Sequence, residues 1–416
     1  MNAPTLLLVQ LALILVAARL CGLVLKRVGQ PPVIGEMAAG LILGPIVFGA
    51  WLPGIHAVVF AKQTLPALSG LATLGVALFM FVVGLELRAP EGTKSQVRSA
   101  LFVGGLGIVL PLLLGLAISP ILYDKYAPTG IGFWPFAMFI AAAMSVTAFP
   151  VLARILRDRN LTHSPPGRLA LSAAVIDDVC VWIFLALVLA LTRGGNGTQV
   201  VFTIMGALGL VAFVFLLLKP VYARLLHSGI NGEELSVSTF AWLLVGILVC
   251  SAIAEWIELH AVFGAFLFGA CLPRDDRLLG ALVRRIEPVA VVLLMPVLFA
   301  LVGQNTTASA FVGAGMGALA LVLFVAIFGK VAGCAAGAWL SGLGWRDSLA
   351  VGSLMNARGL MELIVIKIGF DAGVIGPELF TMLFVMTLVT TLTASPLLSL
   401  FYARRSEVPA ARGRAL

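Results

Sequence analysis

The chain has 416 residues, of which 61% are hydrophobic and only 11% are charged. A soluble domain carries roughly a quarter charged residues, so this balance excludes one. The net charge of +8 lies in short loops between apolar runs. It is an orientation signal facing anionic lipid rather than a nucleic-acid footprint.

Apolar runs of about 20 residues, the length that crosses a bilayer core of ~30 Å, recur from end to end. Porin-type strands would alternate every second residue, and none do. The first run, 4–25, is too long for a signal-peptide core and lacks a basic leader, so it reads as a span. Further spans are expected at 33–51, 65–86, 99–119, 132–155, 168–192, 198–218, 238–255, 259–272, 287–303, 312–339, 346–368 and 377–402, thirteen in all. Basic residues then set the orientation. With the N-terminus outside, Lys26, Arg27, Arg88, Lys94, Arg98, Arg154, Arg157, Arg159, Arg168, Lys219, Arg224, Arg274, Arg277, Arg284, Arg285, Arg346 and the arginines of the tail fall on the cytoplasmic side. Only Lys62, Lys125 and Arg193 fall outside. The expected organisation is a membrane domain over 1–403 and a short cytoplasmic tail over 404–416.

The odd count suggests two sets of six spans around a lone seventh helix, which gives the sets opposite topology. Repeat one would cover about 4–192, the linker helix about 198–218 and repeat two about 238–402. Weak internal symmetry agrees. Span five carries "MSVTAFPVLARIL" (144–156) and span twelve "GSLMNARGLMELI" (352–364), polar interruptions in corresponding places.

Five ionisable side chains lie well inside spans: Asp177, Asp178, Lys330, Arg358 and Glu362. Bare carboxylates in a lipid core are expensive, yet "SAAVIDDVCVWIFLALVLALT" (172–192) keeps two. Counting helix rise places Asp177, Lys330 and Arg358 near one level, roughly 15 Å deep. Adjacent residues on a helix point about 100° apart. One aspartate can therefore pair with Lys330 while the other faces a cavity. Arg358 and Glu362, spaced i, i+4, can pair along their own helix. The competing reading is that all five only neutralise one another.

The interruptions supply further candidates. Ser145, Thr147 and Pro150 break span five, the proline by removing a backbone hydrogen bond. Ser353, Asn356 and Gly359 break span twelve more mildly. Non-helical backbone at membrane depth belongs inside protein or beside a cavity, where carbonyl and hydroxyl oxygens would suit a small cation. The alternative is a simple proline kink.

Together "AVIDDVCVW", "MSVTAFPVLARIL", "PPVIGEMAAGLILGP", "ALFMFVVGLELR" and "LMNARGLMELIVIKIG" resemble the membrane domain of the monovalent cation:proton antiporter-2 family, nearest to plant cation/H+ exchangers and bacterial Kef-type and NapA-type antiporters. The resemblance covers nearly the whole chain. It implies an all-α NhaA-type fold with two crossing broken helices, and a homodimer whose core slides against a dimerisation scaffold. It implies that Asp178 binds cation or proton, that Asp177 pairs with Lys330 of "FGKVAG", and that spans five and twelve are the crossing helices. It implies exchange of Na+, K+ or Li+ for protons in a bacterial inner membrane, without a cofactor. The plant branch usually has Asn where Asp177 stands, so the aspartate pair with Lys330 resembles the electrogenic bacterial group. Kef-type proteins add a C-terminal nucleotide-binding domain; none is expected after span thirteen.

Other functions fit less well. A channel or ion sensor of the same fold is the alternative, but a channel needs repeated carbonyl rings. An intramembrane aspartyl protease needs two aspartates facing one water, which neighbours on one helix cannot do. Glu36 reads as a helix-end carboxylate near Lys26 and Arg27, or as a vestibule charge. Glu86 beside Arg88 reads the same way. Glu255, Glu258 and His260 read as an outer turn or a pH-sensing patch. The small-residue run from Gly313 to Gly317 reads as a packing motif, and Cys21, Cys180, Cys250, Cys271 and Cys334 as small core residues.

Overall fold

The computed structural model describes residues 2–86, 94–162, 164–193, 197–231, 234–257, 259–273 and 276–402. Arg88, Glu258, Arg274 and the expected tail 404–416 lie outside the described residues.

The helices are α1 (Ala3–Arg27), α2 (Pro32–Leu43), α3 (Pro53–Val59), α4 (Leu65–Glu86), α5 (Lys94–Tyr126), α6 (Phe133–Ser145), α7 (Phe149–Asp158), α8 (Pro165–Arg193), α9 (Gly197–Ala212), α10 (Lys219–Gly229), α11 (Val237–Trp256), α12 (Ala261–Cys271), α13 (Asp276–Glu287), α14 (Met295–Gln304), α15 (Ala314–Leu340), α16 (Trp345–Met355), α17 (Gly359–Asp371) and α18 (Pro377–Phe401). Among the described residues the only strands are a two-residue pair in which Ile230 faces Leu235.

Ten of these helices or helix runs are long and apolar enough to cross a membrane, and α16 with α17, bent by 47°, makes an eleventh. A wide-turn π-helical segment at Pro45–Gly49 ends the second span, and those at Phe213–Leu218 and Pro288–Leu294 join helices into single spans. The second and tenth spans thereby start or end away from their expected limits. The tenth runs from Leu279 to Gln304 rather than 287–303. The expected ninth span is the eleven-residue α12.

Two groups of helices pack internally. α5, α6, α8, α15, α16 and α18 form one; α1, α2, α4, α11, α12 and α14 form the other. Small residues make the densest contact. Gly333 and Gly337 of α15 lie one turn apart against α5, where a Cβ would stand 2.5 Å from Leu106 O and from Phe102 O. Nothing larger than glycine fits without moving backbone, so α15 lies close enough to α5 for Lys330 to reach across. Gly317 instead has open space around it. Within the run Gly313–Gly317, Gly315 does pack closely, a Cβ there standing 2.3 Å from Ala310 O, but the run does not make the α15–α5 contact.

Candidate functional site

Both expected interruptions are real breaks. Between α6 and α7 the chain is extended, with Val146 at ψ 139° and Ala148 at ψ 98°. Between α16 and α17 it unwinds at Asn356–Arg358, and Gly359 takes the left-handed φ of +58°. The two breaks meet. The Ala148 N–H donates to Ala357 O at 2.9 Å, and the Thr147 hydroxyl donates to Met355 O at 3.2 Å. Four half-helices thus end in one buried region.

Pro150 plays a different part from the one expected. It stands in the first turn of α7, where a missing N–H costs nothing because that donor has no intrahelical partner. It starts the second half-helix; the unwinding precedes it.

A half-helix ending inside protein leaves carbonyls without partners, and its C-terminal end carries partial negative charge. Two cations answer this at α6. Arg358 Nη1 donates to Ala143 O and Arg358 Nη2 to Met144 O, each at 2.6 Å, and Nη2 also reaches Ala326 O at 3.2 Å. Lys330 Nζ donates to Ser145 O and, at 3.0 Å, to Gly107 O. Three successive carbonyls of α6 are thereby satisfied by side chains from α15 and from the second break.

Lys330 also bridges Asp177, 3.1 Å from Oδ1 and 2.9 Å from Oδ2. Both are fully buried. Asp178, 3% exposed, points elsewhere on α8, and its Oδ2 has no hydrogen-bond partner among the described residues. Arg358 Nη1 and Glu362 Oε2 stand 3.4 Å apart, both fully buried. The expected i, i+4 pair is present, although Arg358 lies just outside α17 and Glu362 in its first turn.

The remaining candidates are buried nearby. The Ser145 hydroxyl donates to Ala141 O and Ile108 O, and Ser353 donates to Leu349 O. Asn356 Nδ2 donates to Thr390 O and to the Thr393 hydroxyl. These α18 partners were missed in the sequence. The signal was the hydroxyl-rich "TLVTTLTAS" (387–395) in an apolar span.

A cavity of about 490 Å3 is lined by residues of α2, α4, α7, α13, α14 and α17. Its charged lining comprises Glu36, Glu86 and Glu287 together with Arg154, Arg157 and Asp158. Its inner lining includes Pro150, Val151 and Leu360, beside the breaks, while Asp178 is not among its lining residues. The ionic partner of Glu36 is Arg19, 3.7 Å away, rather than Lys26 or Arg27. At the other end, Glu255 Oε2 accepts the Ala261 N–H at 2.9 Å, the bonding of a helix-end turn. Of the cysteines, Cys250, Cys271 and Cys334 are buried, whereas Cys21 is half-buried and Cys180 exposed.

Residues 14–401 match the family model described as sodium/hydrogen exchanger, transmembrane. The chain belongs to the sodium/hydrogen exchanger family. It is 36% identical to the Na(+)/H(+) antiporter NhaS4 of Synechocystis over 96% of this chain and 98% of that one. It is 36% identical to Cation/H(+) antiporter 17 of Arabidopsis thaliana, and 33% identical to K(+)/H(+) antiporter 1 of Saccharomyces cerevisiae, each over 96% of this chain. The chain spans about half the length of those plant and yeast relatives, 49% and 46%. Among solved structures, the sodium proton antiporter MjNhaP1 of Methanocaldococcus jannaschii superposes with a TM-score of 0.62. That match covers 96% of this chain and 98% of MjNhaP1 at 16% identity, a likeness of fold.

Proposed function

We propose that this exchanger-family chain swaps a monovalent cation, Na+ or K+ and possibly Li+ in the range it accepts, for protons across a membrane. The observation that carries the reading is the division of labour between neighbouring carboxylates. Asp177 is held by Lys330, and Asp178 keeps an oxygen with no hydrogen-bond partner among the described residues. A buried carboxylate left over in this way is neutral when it carries a proton and equally neutral when it carries a monovalent cation. The two ligands compete for one seat, which is the requirement for exchange. The names of the relatives, Na(+)/H(+) and K(+)/H(+) antiporters, support the same exchange.

The extended backbone at Val146–Ala148, with the Thr147 and Ser145 oxygens, supplies additional ligands for the cation. Lys330 is the charge partner, and Arg358 and Glu362 hold the crossing breaks. The two internally packed helix groups suit an elevator-type cycle, one group carrying the site past the other within a homodimer. Counting α8 and α12 with the eleven spans gives thirteen. An odd number puts the termini on opposite sides, and the bias of basic loops then favours an outside N-terminus and a cytoplasmic C-terminus in a bacterial inner membrane. In that orientation the 490 Å3 cavity faces the cytoplasm.

Purified protein in vesicles holding a trapped pH dye tests the reading. Addition of Na+, K+ or Li+ should dequench the dye for at least one salt. Cation movement with no accompanying proton movement would contradict exchange.

A further inference from the structure

The second break is held from outside by a side chain that the exchange chemistry does not use. Thr391 of α18 is fully buried. Its hydroxyl oxygen accepts the N–H of Arg358 at 3.3 Å and of Gly359 at 3.0 Å, and its proton goes to Thr387 O at 2.7 Å. These two N–H groups begin α17, where no residue of the break itself caps the helix with its side chain. A threonine from another helix does the work of an N-cap.

Fixing these two amides has a consequence at the ion site. Gly359 sits at φ +58°, and Arg358 immediately precedes it. The direction of the arginine side chain therefore depends on this short turn. Its guanidinium binds Ala143 O and Met144 O, adjacent to Ser145, whose carbonyl binds the Lys330 ammonium that pairs with Asp177. The path from Thr391 to the cluster runs through its hydrogen bonds to the second break, the Arg358 side chain bonded to Ala143 O and Met144 O, and the next residue along α6, Ser145, whose carbonyl binds Lys330.

We propose that Thr391 is a positioning residue for cation binding: it locks the second break in the conformation that keeps Arg358 on the end of α6 and so keeps the Lys330–Asp177–Asp178 cluster assembled. The proposal rests on the exchange reading above. Without the cap, the break samples frayed conformers that do not bind cation, and apparent affinity falls by the fraction that remains competent.

The test is half-saturation of exchange in proteoliposomes for wild type, Thr391→Val, Thr391→Ser and Thr387→Val. Thr387 is an equally buried hydroxyl of α18 that bonds only within its own helix, to Leu383 O. For Thr391→Val the half-saturating cation concentration should rise by roughly 2- to 30-fold, the span expected for a lost cap. The rise should be similar for each transported cation, and the maximal rate should be kept. Thr391→Ser should behave as wild type, and so should Thr387→Val. If Thr391→Val does not fold, Thr391→Ala takes its place. An unchanged half-saturation in an active Thr391→Val or Thr391→Ala protein overturns the proposal. So does failure of both variants to fold, which would make Thr391 a stability residue. Wild-type vesicles without exchange would instead defeat the functional reading, and this inference with it.

Discussion

The Lys330 ammonium lies 2.9 Å from Oδ2 of Asp177 and 3.1 Å from Oδ1, with both side chains fully enclosed. A charge in that position is tolerable only while its partner is there. We propose that cation binding at Asp178 loosens the pair, so that the pair takes part in the cycle and net charge is transferred, as in a two-proton cycle. Wild-type Na+ uptake should therefore respond to a diffusion potential imposed with K+ and valinomycin. Lys330→Gln should abolish that response, with or without residual uptake. Wild-type uptake indifferent to the potential would rule out the two-proton cycle.

Arg358 carries more than its pair with Glu362, because Ala143, Met144 and Ala326 all offer it carbonyls. Arg358→Met should leave Glu362 and the Ala143 and Met144 carbonyls of α6 without the arginine that binds them. The expected loss is about 3–5 kcal/mol, the range for breaking a buried pair. Glu362→Gln keeps the arginine on its three carbonyls and should be milder. Thermal melting in detergent compares them, and equal melting temperatures would show that the carbonyl bonds contribute nothing beyond the ion pair.

Packing of α15 on α5 gives a contrast between glycines. Gly333→Ala places a Cβ 2.5 Å from a backbone carbonyl of α5, whereas Gly317→Ala meets nothing within 4 Å. The first should destabilise by about 1–3 kcal/mol, as overpacking does, and should lower transport by displacing Lys330. The second should be neutral in both assays. Similar behaviour of the two variants would contradict the assigned interface.

The proposed movement of the site past its neighbouring helices should be trapped by a crosslink across the cavity. Val33 of α2 and Ala153 of α7 both line it. Cysteines there, in a background cleared of the five native cysteines because Cys180 is exposed, should be joined by a bifunctional maleimide. Exchange should stop on crosslinking and return with a cleavable linker after cleavage. Full exchange by verified crosslinked protein would exclude a cycle that needs the cavity to close.

The buried charge cluster of the candidate site was largely legible in the sequence because charge in an apolar span has few explanations. Asp177, Asp178, Lys330, Arg358 and Glu362 stood out on that ground, and the structure buries all five. The breaks were legible as polar interruptions, but their geometry was not. A proline reads as a breaker wherever it stands, and only coordinates show that Pro150 begins a half-helix. Thr391 was illegible for the opposite reason. Hydroxyls in apolar helices commonly bond back to their own carbonyls, as Thr387 does, and sequence cannot tell which one also turns outward to a neighbour. Glu36 was paired with the basic residues nearest in sequence, whereas Arg19 is its partner. Helix ends were also blurred by π-helical segments that add residues to a span without any compositional mark.

Alternate holding of a proton and a cation by Asp178 is decided by comparing wild type with Asp178→Asn. Wild-type and Asp178→Asn proteins are reconstituted at equal density, and dye dequenching is followed on addition of Na+, K+ and Li+. Asparagine fills the same space but neither releases a proton nor supplies the charge that a cation neutralises. The account predicts dequenching for wild type and the signal of protein-free vesicles for Asp178→Asn, with both proteins folded and of the same oligomeric size. Proton-coupled exchange retained by Asp178→Asn would contradict it.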